Sequence, residues 1–345
     1  MVFTHVSSPV VRVLAGTGAC RLLLDEIERL GASRVVLVSS ATLTRETSLP
    51  TALEHLLGSR FQQSFSGLAQ HTPEQAVAEL ADLLREVSAD AVVSLGGGSV
   101  IDGCKGAIHD LGPGAAMHLA IPTTLSGAEF TASAGITRGP GRQKQASVDR
   151  QAAPQVVILD PEATRHTPGQ LWLGSGIRAL DHAVETVCSE VQDPLSNRLA
   201  LEAIRRLRSS LPRCQADGQD LAARQQAQLG AWWAALGLAS VPMGPSHTLG
   251  KLLGAPFGIP HGITSCVLLP AVIAATARAD PDRVAPLAPA FDVHGPELVA
   301  PACAQLIAEL GLPRSLSAAG LSQADLPTYL ESIPREWREA VAGTF

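Results

Sequence analysis

The segment Val92-Val93-Ser94-Leu95-Gly96-Gly97-Gly98-Ser99-Val100-Ile101-Asp102 restricts what this chain can fold into more than any other. An apolar strand ends, three glycines follow, and Ser99 stands where a helix N-cap belongs. Asp102, three residues on, resembles the acidic half of a capping box. Glycines let a backbone approach a ligand closely, and a helix N-terminus offers unpaired N–H groups and a positive dipole end. That combination suits a pyrophosphate. The spacing matches neither G-x-G-x-x-G nor a P-loop. The plainer reading is a tight turn, for which three consecutive glycines are costly.

Val35-Val36-Leu37-Val38 and Val156-Val157-Ile158-Leu159 read as two further buried strands. Such β-branched runs, flanked by Gly or polar residues and spaced by helices, imply a parallel sheet covered on both faces. Pro73 to Val87 supplies one covering helix, with Val77, Leu80, Leu83, Leu84 and Val87 on one face. After Asp160-Pro161 the strand patterns stop. Residues 171–190, 196–211, 220–238 and 301–310 read as helices. The 345 residues therefore divide into an α/β domain over 1–162 and an all-α domain over 163–345, in keeping with roughly 100–200 residues per domain. The cleft between two such domains is a default ligand site. Gly139-Pro140-Gly141-Arg142-Gln143-Lys144 reads as a hairpin tip.

Hydrophobic residues are 46% and charged residues 17%, enough for a sizeable core and against disorder. A net charge of −6 with no basic run argues against a nucleic-acid partner held through phosphates. No stretch approaches the roughly 20 apolar residues of a membrane span, and the first residues lack a signal peptide's basic region. The six cysteines form no C-x-x-C pair, so neither a zinc knuckle nor a disulfide frame is expected. These features point to a cytoplasmic enzyme.

Weaker signals lie elsewhere. Gly16-Thr17-Gly18 is a lone G-x-G and reads as a turn. Ala120 to Glu129 is a short strand running into a polar loop. The hydroxyls of Thr123, Thr124 and Ser126 there suit ribose or nicotinamide groups, or an ordinary Ser/Thr-rich turn. Arg178 and His182 lie four apart on one face of a helix, with Asp181 turned about 100° from His182. His247 and His261 flank Lys251 and a Gly/Pro-rich loop. Three separated histidines could converge on zinc or iron; equally, each could pack or hydrogen-bond alone.

Taken together, these segments resemble the iron-containing alcohol dehydrogenase superfamily, in its maleylacetate reductase-like branch, from about Val13 to about Leu321. Gly96 to Asp102 with Lys105 resembles the family's cofactor loop. Pro122 to Glu129 resembles its second cofactor segment, and Leu159-Asp160-Pro161 the end of its first domain. Ser175 to Glu185 and Pro260 to Pro270 point to the reductase branch. The resemblance implies a dehydroquinate synthase-like fold: an N-terminal dinucleotide-binding α/β domain on a parallel sheet, plus an all-α C-terminal helical domain, often dimeric. It implies NADH or NADPH as cofactor. The cofactor-binding residues so expected are Ser40, Gly96, Gly97, Gly98, Ser99, Asp102, Thr123, Thr124, Ser126 and Lys144.

The departures matter as much. Metal-dependent members of the family use an Asp and three His. The Asp position falls on Arg178 and the His positions on His182, His247 and His261; a further family histidine falls on Lys251. Arg is always protonated and would repel Fe²⁺ or Zn²⁺. The resemblance then implies hydride transfer from NADPH or NADH to a small anionic unsaturated or keto acid such as maleylacetate, without metal. Arg178 would pair bidentately with a carboxylate or enolate, with Lys251 adding charge and His247 or His261 donating the proton. A salt bridge from Arg178 to Asp181 or Glu185 is the structural alternative. The alternative function is a metal-dependent alcohol dehydrogenase or aldehyde reductase, with iron or zinc on His182, His247 and His261. A third is a non-catalytic cofactor-binding protein. In this family an acidic residue after the second strand selects NAD over NADP. Ser39-Ser40-Ala41-Thr42 has none, and Arg45 is the nearest arginine. The expectation is that NADPH is accepted, with NADH used within roughly tenfold.

Overall fold

Val35–Ser39, Ala91–Gly96 and Val156–Leu159 are buried at every position, and strands without a solvent face belong inside a parallel sheet. The computed structural model, which describes residues 2–139 and 143–345 and only the backbone of Gln143, Lys144 and Ala255, places them there. The strands are β1 (Arg12–Ala15), β2 (Val35–Ser39), β3 (Phe61–Phe65), β4 (Ala91–Gly96), β5 (Met117–Pro122), β6 (Ser133–Arg138), β7 (Gln143–Val148) and β8 (Val156–Leu159). Six of them form one parallel sheet in the order β1-β8-β5-β4-β2-β3. β6 and β7 pair antiparallel from Ser133↔Val148 to Arg138↔Gln143. The sequence therefore located the hairpin, whose tip at 140–142 lies outside the described residues. It missed β1 and β3, which sit at the sheet edges with partly exposed patterns.

Alternate side chains of each strand serve opposite faces. Leu37, Val93, Leu95 and Ile158 pack with Leu23 and Ile27 of α1 (Leu23–Leu30) and Leu53 and Leu57 of α3 (Leu49–Leu57). A short α2 (Ala41–Glu46) precedes α3. Val36, Val38 and Val92 pack with Val77, Leu80 and Leu84 of α4 (Glu74–Glu86) and Cys104 and Ile108 of α5 (Gly98–Leu111). The Gly16-Thr17-Gly18 segment is a turn held by Asp160, whose carboxylate accepts the N–H of Gly18 at 3.2 Å and of Cys20 at 2.9 Å.

The chain divides into two compact units: Ser8–Thr167, and Pro168–Phe345 together with the residues before Ser8. His5 reaches Asp193 at 2.7 Å and the Val6 N–H donates to Ser240 Oγ at 2.9 Å, so the N-terminal arm belongs with the second unit. That unit contains α6 (Gly169–Cys188), α7 (Pro194–Ala216), α8 (Leu221–Ala235), α9 (Pro245–Phe257), α10 (His261–Ala279), α11 (Pro281–Val284), α12 (Val299–Glu309), α13 (Leu326–Ser332) and α14 (Arg335–Ala342). It has no strand among the described residues.

α10 corrects one sequence expectation. Its 19 residues, with an 18-residue window of mean hydropathy 1.5, are long and apolar enough by length and composition to cross a membrane; it packs against α6, α9 and α12. α6 lies at the centre of the unit, packed by α7, α8, α9 and α10 and buried from Trp172 to Val187. A Cβ on Gly262 would come within 2.6 Å of the Gly174 backbone, so glycine there lets α10 cross α6 closely. A helix buried on all sides should be apolar all round. This one carries Arg178, Asp181, His182 and Glu185, so their partners must be found within the protein.

Candidate active site

The glycine turn is shaped by its own neighbours. Gly97, not Ser99, is the N-cap of α5, with φ −82° and ψ −175°, an extended conformation open to any residue. The need for glycine is steric. A Cβ would meet Val100 Cγ2 at 2.7 Å from Gly96, Thr124 Cγ2 at 3.0 Å from Gly97 and Ser126 Oγ at 2.9 Å from Gly98. The loop after β5 lies against the turn, tied by the Thr123 N–H to Gly96 O at 2.9 Å. Thr123 is buried and its carbonyl accepts from Thr167 Oγ1 at 2.7 Å, whereas Thr124 Oγ1 donates to Ser126 Oγ at 3.3 Å. The first N–H groups of α5 have no acceptor within the helix, so the turn is a ready anion cradle edged by two hydroxyls.

Three expected cofactor residues have other tasks here. Ser99 Oγ accepts the His71 N–H at 3.2 Å, and its carbonyl accepts from Thr72 Oγ1 at 3.2 Å; His71 and Thr72 both have positive φ, 66° and 54°. Asp102 makes no capping box. It accepts from Lys105 Nζ at 3.0 Å and from the Gly135 N–H at 3.1 Å, bracing α5 to β6. Ser40 caps α2, accepting the Leu43 N–H at 3.3 Å, and its hydroxyl proton remains to donate. The Lys144 side chain lies outside the described residues.

The helical unit assembles a second cluster from α6, α9 and α10. Arg178 Nη1 donates to Asp181 Oδ2 at 3.1 Å and to Ser265 Oγ at 2.9 Å, while Nη2 contacts the His247 ring. Asp181 Oδ2 also accepts from Ser246 Oγ at 2.9 Å and Ser265 Oγ at 2.6 Å. The salt-bridge alternative for Arg178 is thus realised with Asp181. Nη1 of the guanidinium fork is thereby engaged within the protein. One turn on, Glu185 accepts the N–H of Gly244 at 3.0 Å and of His247 at 3.2 Å, seating the start of α9. Burial and the Asp181 charge push Glu185 up to about 8. Burial raises Asp181 too, against the pull of Arg178 and the two serines.

His182 and His247 face each other with ring centroids 5.8 Å apart. Burial first, then Arg178, holds both imidazoles far below their ordinary value, so both are neutral at pH 7. The His261 ring packs on α9, 3.2 Å from where a Cβ on Gly254 would lie. Lys251, one turn after His247, is exposed and makes no ion pair or hydrogen bond among the described residues. Burial of part of the side chain and the Arg178 charge lower its pKa.

These residues do not fit a divalent metal. Among the described residues no group of three or more His, Cys, Asp or Glu converges. Any cation near His247 would also meet the Arg178 guanidinium. Sequence reasoning named Asp181 and Glu185 only as salt-bridge partners for Arg178, and missed Ser246 and Ser265, which carry no local signal.

A parallel α/β unit with a glycine turn, followed by a helical unit with this cluster, defines a class. The chain belongs to the iron-containing alcohol dehydrogenase family: residues 10–161 match iron-containing alcohol dehydrogenase, and 173–334 match the family's C-terminal part. Within it, the chain is similar to maleylacetate reductase of Rhizobium sp. strain MTP-10005, 34% identical over 95% of this chain and 90% of that one. It is 35% identical to maleylacetate reductase 1 of Rhodococcus opacus over 94% of this chain and 87% of that one. The crystal structure of maleylacetate reductase from Agrobacterium tumefaciens superposes with a TM-score of 0.90 at 30% identity, covering 100% of this chain and 98% of the other.

Proposed function

We propose that the chain is a nicotinamide-dependent reductase of the maleylacetate reductase type, acting without metal on a small anionic unsaturated or keto acid. The observation that supports this most is the cation cluster: Arg178 locked between Asp181 and His247, with Lys251 unengaged one turn along α9. Bound NADPH or NADH would supply the hydride. Gly96 to Gly98 and the first turn of α5 hold its pyrophosphate, Thr124 and Ser126 its ribose or nicotinamide groups, and Ser40 a 2′-phosphate. Lys251 attracts a substrate carboxylate and so takes the role first expected of Arg178. Arg178, immobile and already oriented, stabilises the negative charge that develops on the substrate, an effect on the order of 3 kcal/mol. Neutral His247 donates a hydrogen bond to the same charge, and His261 supplies the proton.

Steady-state kinetics of Lys251→Met test this reading. KM for maleylacetate should rise about 30-fold, about 2 kcal/mol, with kcat within threefold. An unchanged KM, or a wild type that prefers neutral aldehydes over maleylacetate in kcat/KM, would overturn it.

A further inference from the structure

We propose that Asp181 is the positioning residue of this site: through Arg178 it fixes His247 with Nδ1 as acceptor and Nε2–H as the donor offered to substrate. The inference rests on the reductase reading for what the donor serves, but its geometry stands alone. Arg178 Nη1, Ser265 Oγ and Asp181 Oδ2 close a triangle of 2.9, 2.6 and 3.1 Å, and Ser246 adds a further donor to the same oxygen. That triangle fixes the plane of the guanidinium. Its other amino group, Nη2, then lies against the His247 ring, nearer to Nδ1 than to Nε2, which lies at 3.3 Å.

A guanidinium only donates, so the ring nitrogen it faces must present a lone pair. A neutral imidazole has one accepting and one donating nitrogen, and the bond made by one decides the other. Nδ1 therefore accepts and Nε2 carries the proton. The backbone of His247 is held as well, since Glu185 accepts its N–H. Asp181 touches neither substrate nor His247. It acts on the ring only through Arg178, as a buried aspartate orients a histidine directly in hydrolase triads.

The test combines a spectrum with kinetics. Long-range proton–nitrogen correlation on ¹⁵N-histidine-labelled protein reads each tautomer, with His247 assigned by its loss in His247→Asn. The wild type should show the Nε2–H form. Ser265→Ala should mix the two tautomers and lower kcat about tenfold, with substrate KM within threefold and NADPH affinity unchanged. Ser265→Thr, which keeps the hydroxyl, should restore both. Asp181→Asn should lower kcat about 30-fold per folded molecule. Should that variant not fold, the Ser265 pair and the wild-type spectrum decide. An Nδ1–H form of His247, or a lower melting temperature with kcat unchanged in Ser265→Ala, would overturn the proposal. A wild type inactive on every keto or enoic acid would instead overturn the reductase reading, while the spectrum still judges the relay.

Discussion

Each unit of the chain buries a cation three residues from an aspartate on its own helix: Asp102–Lys105 on α5 at 3.0 Å and Arg178–Asp181 on α6 at 3.1 Å. Their remaining partners separate them. Lys105, 1% exposed, donates to the carbonyls of Ala128 and Ser133, both at 2.7 Å, so its point charge is used up tying loops to α5. Arg178 has side chains as partners, and its planar fork leaves one amino group against an imidazole. A buried cation saturated by backbone is scaffold. Arg178, with an amino group against an imidazole, is the one proposed for chemistry.

The largest effects should come from breaking both pairs. Lys105→Met leaves a carboxylate and two carbonyls without their cation and should cost about 3–5 kcal/mol in urea unfolding. Arg178→Met should lower kcat/KM about 160-fold, about 3 kcal/mol, beyond any loss of stability. Equal catalytic losses per folded molecule in the two variants would erase the contrast.

Next in size is the glycine turn. Gly97→Val drives a branched side chain at Thr124, already 3.0 Å from a simple Cβ, and should weaken NADPH binding about 100-fold, about 2.7 kcal/mol. Because Gly97 has ordinary φ, Gly97→Ala should lose only about tenfold. Equal losses measured by fluorescence titration would point to backbone strain instead of contact.

A smaller effect belongs to the end of β2. Ser40→Asp places a carboxylate at the α2 cap and should move the NADPH/NADH ratio of kcat/KM about tenfold towards NADH, about 1.4 kcal/mol. A wild type that rejects NADPH more than about a hundredfold would show that another group reads the ribose.

The smallest is the pH dependence that a single buried carboxyl of the α/β unit gives to stability. Burial raises Glu129 to about 7 from 4.5, and its Oε2 has no partner among the described residues. The folded state therefore holds a proton that the unfolded state releases. Stability from this group is full below about 4.5 and is lost as pH rises through 7. In the helical unit Glu185, raised to about 8, has the same sign as Glu129, while the lowered His182 and His247 contribute stability above 6.5 that is lost as pH falls. Glu129→Gln should gain on the wild type in melting temperature between pH 5 and pH 8. Parallel curves would mean that Glu129 is ionised in the folded protein.

The sequence alone determined the central strands, one covering helix, the change to an all-helical second half and the position of the glycine turn. A strand buried on both faces must be a continuous apolar run wherever its neighbours lie, and helical periodicity is local. It also showed Arg178 and Asp181 within one turn. Only the tertiary structure decided which cap starts α5, why its glycines are glycines, and which way the guanidinium points. Those outcomes depend on Thr124 and Ser126 from the next loop, and on Ser246 and Ser265, which reach Asp181 across 65 and 84 residues of chain. No spacing rule encodes contacts of that separation. They exist because α9 and α10 pack on α6, and a buried charge settles on whatever donors that packing brings within 3 Å.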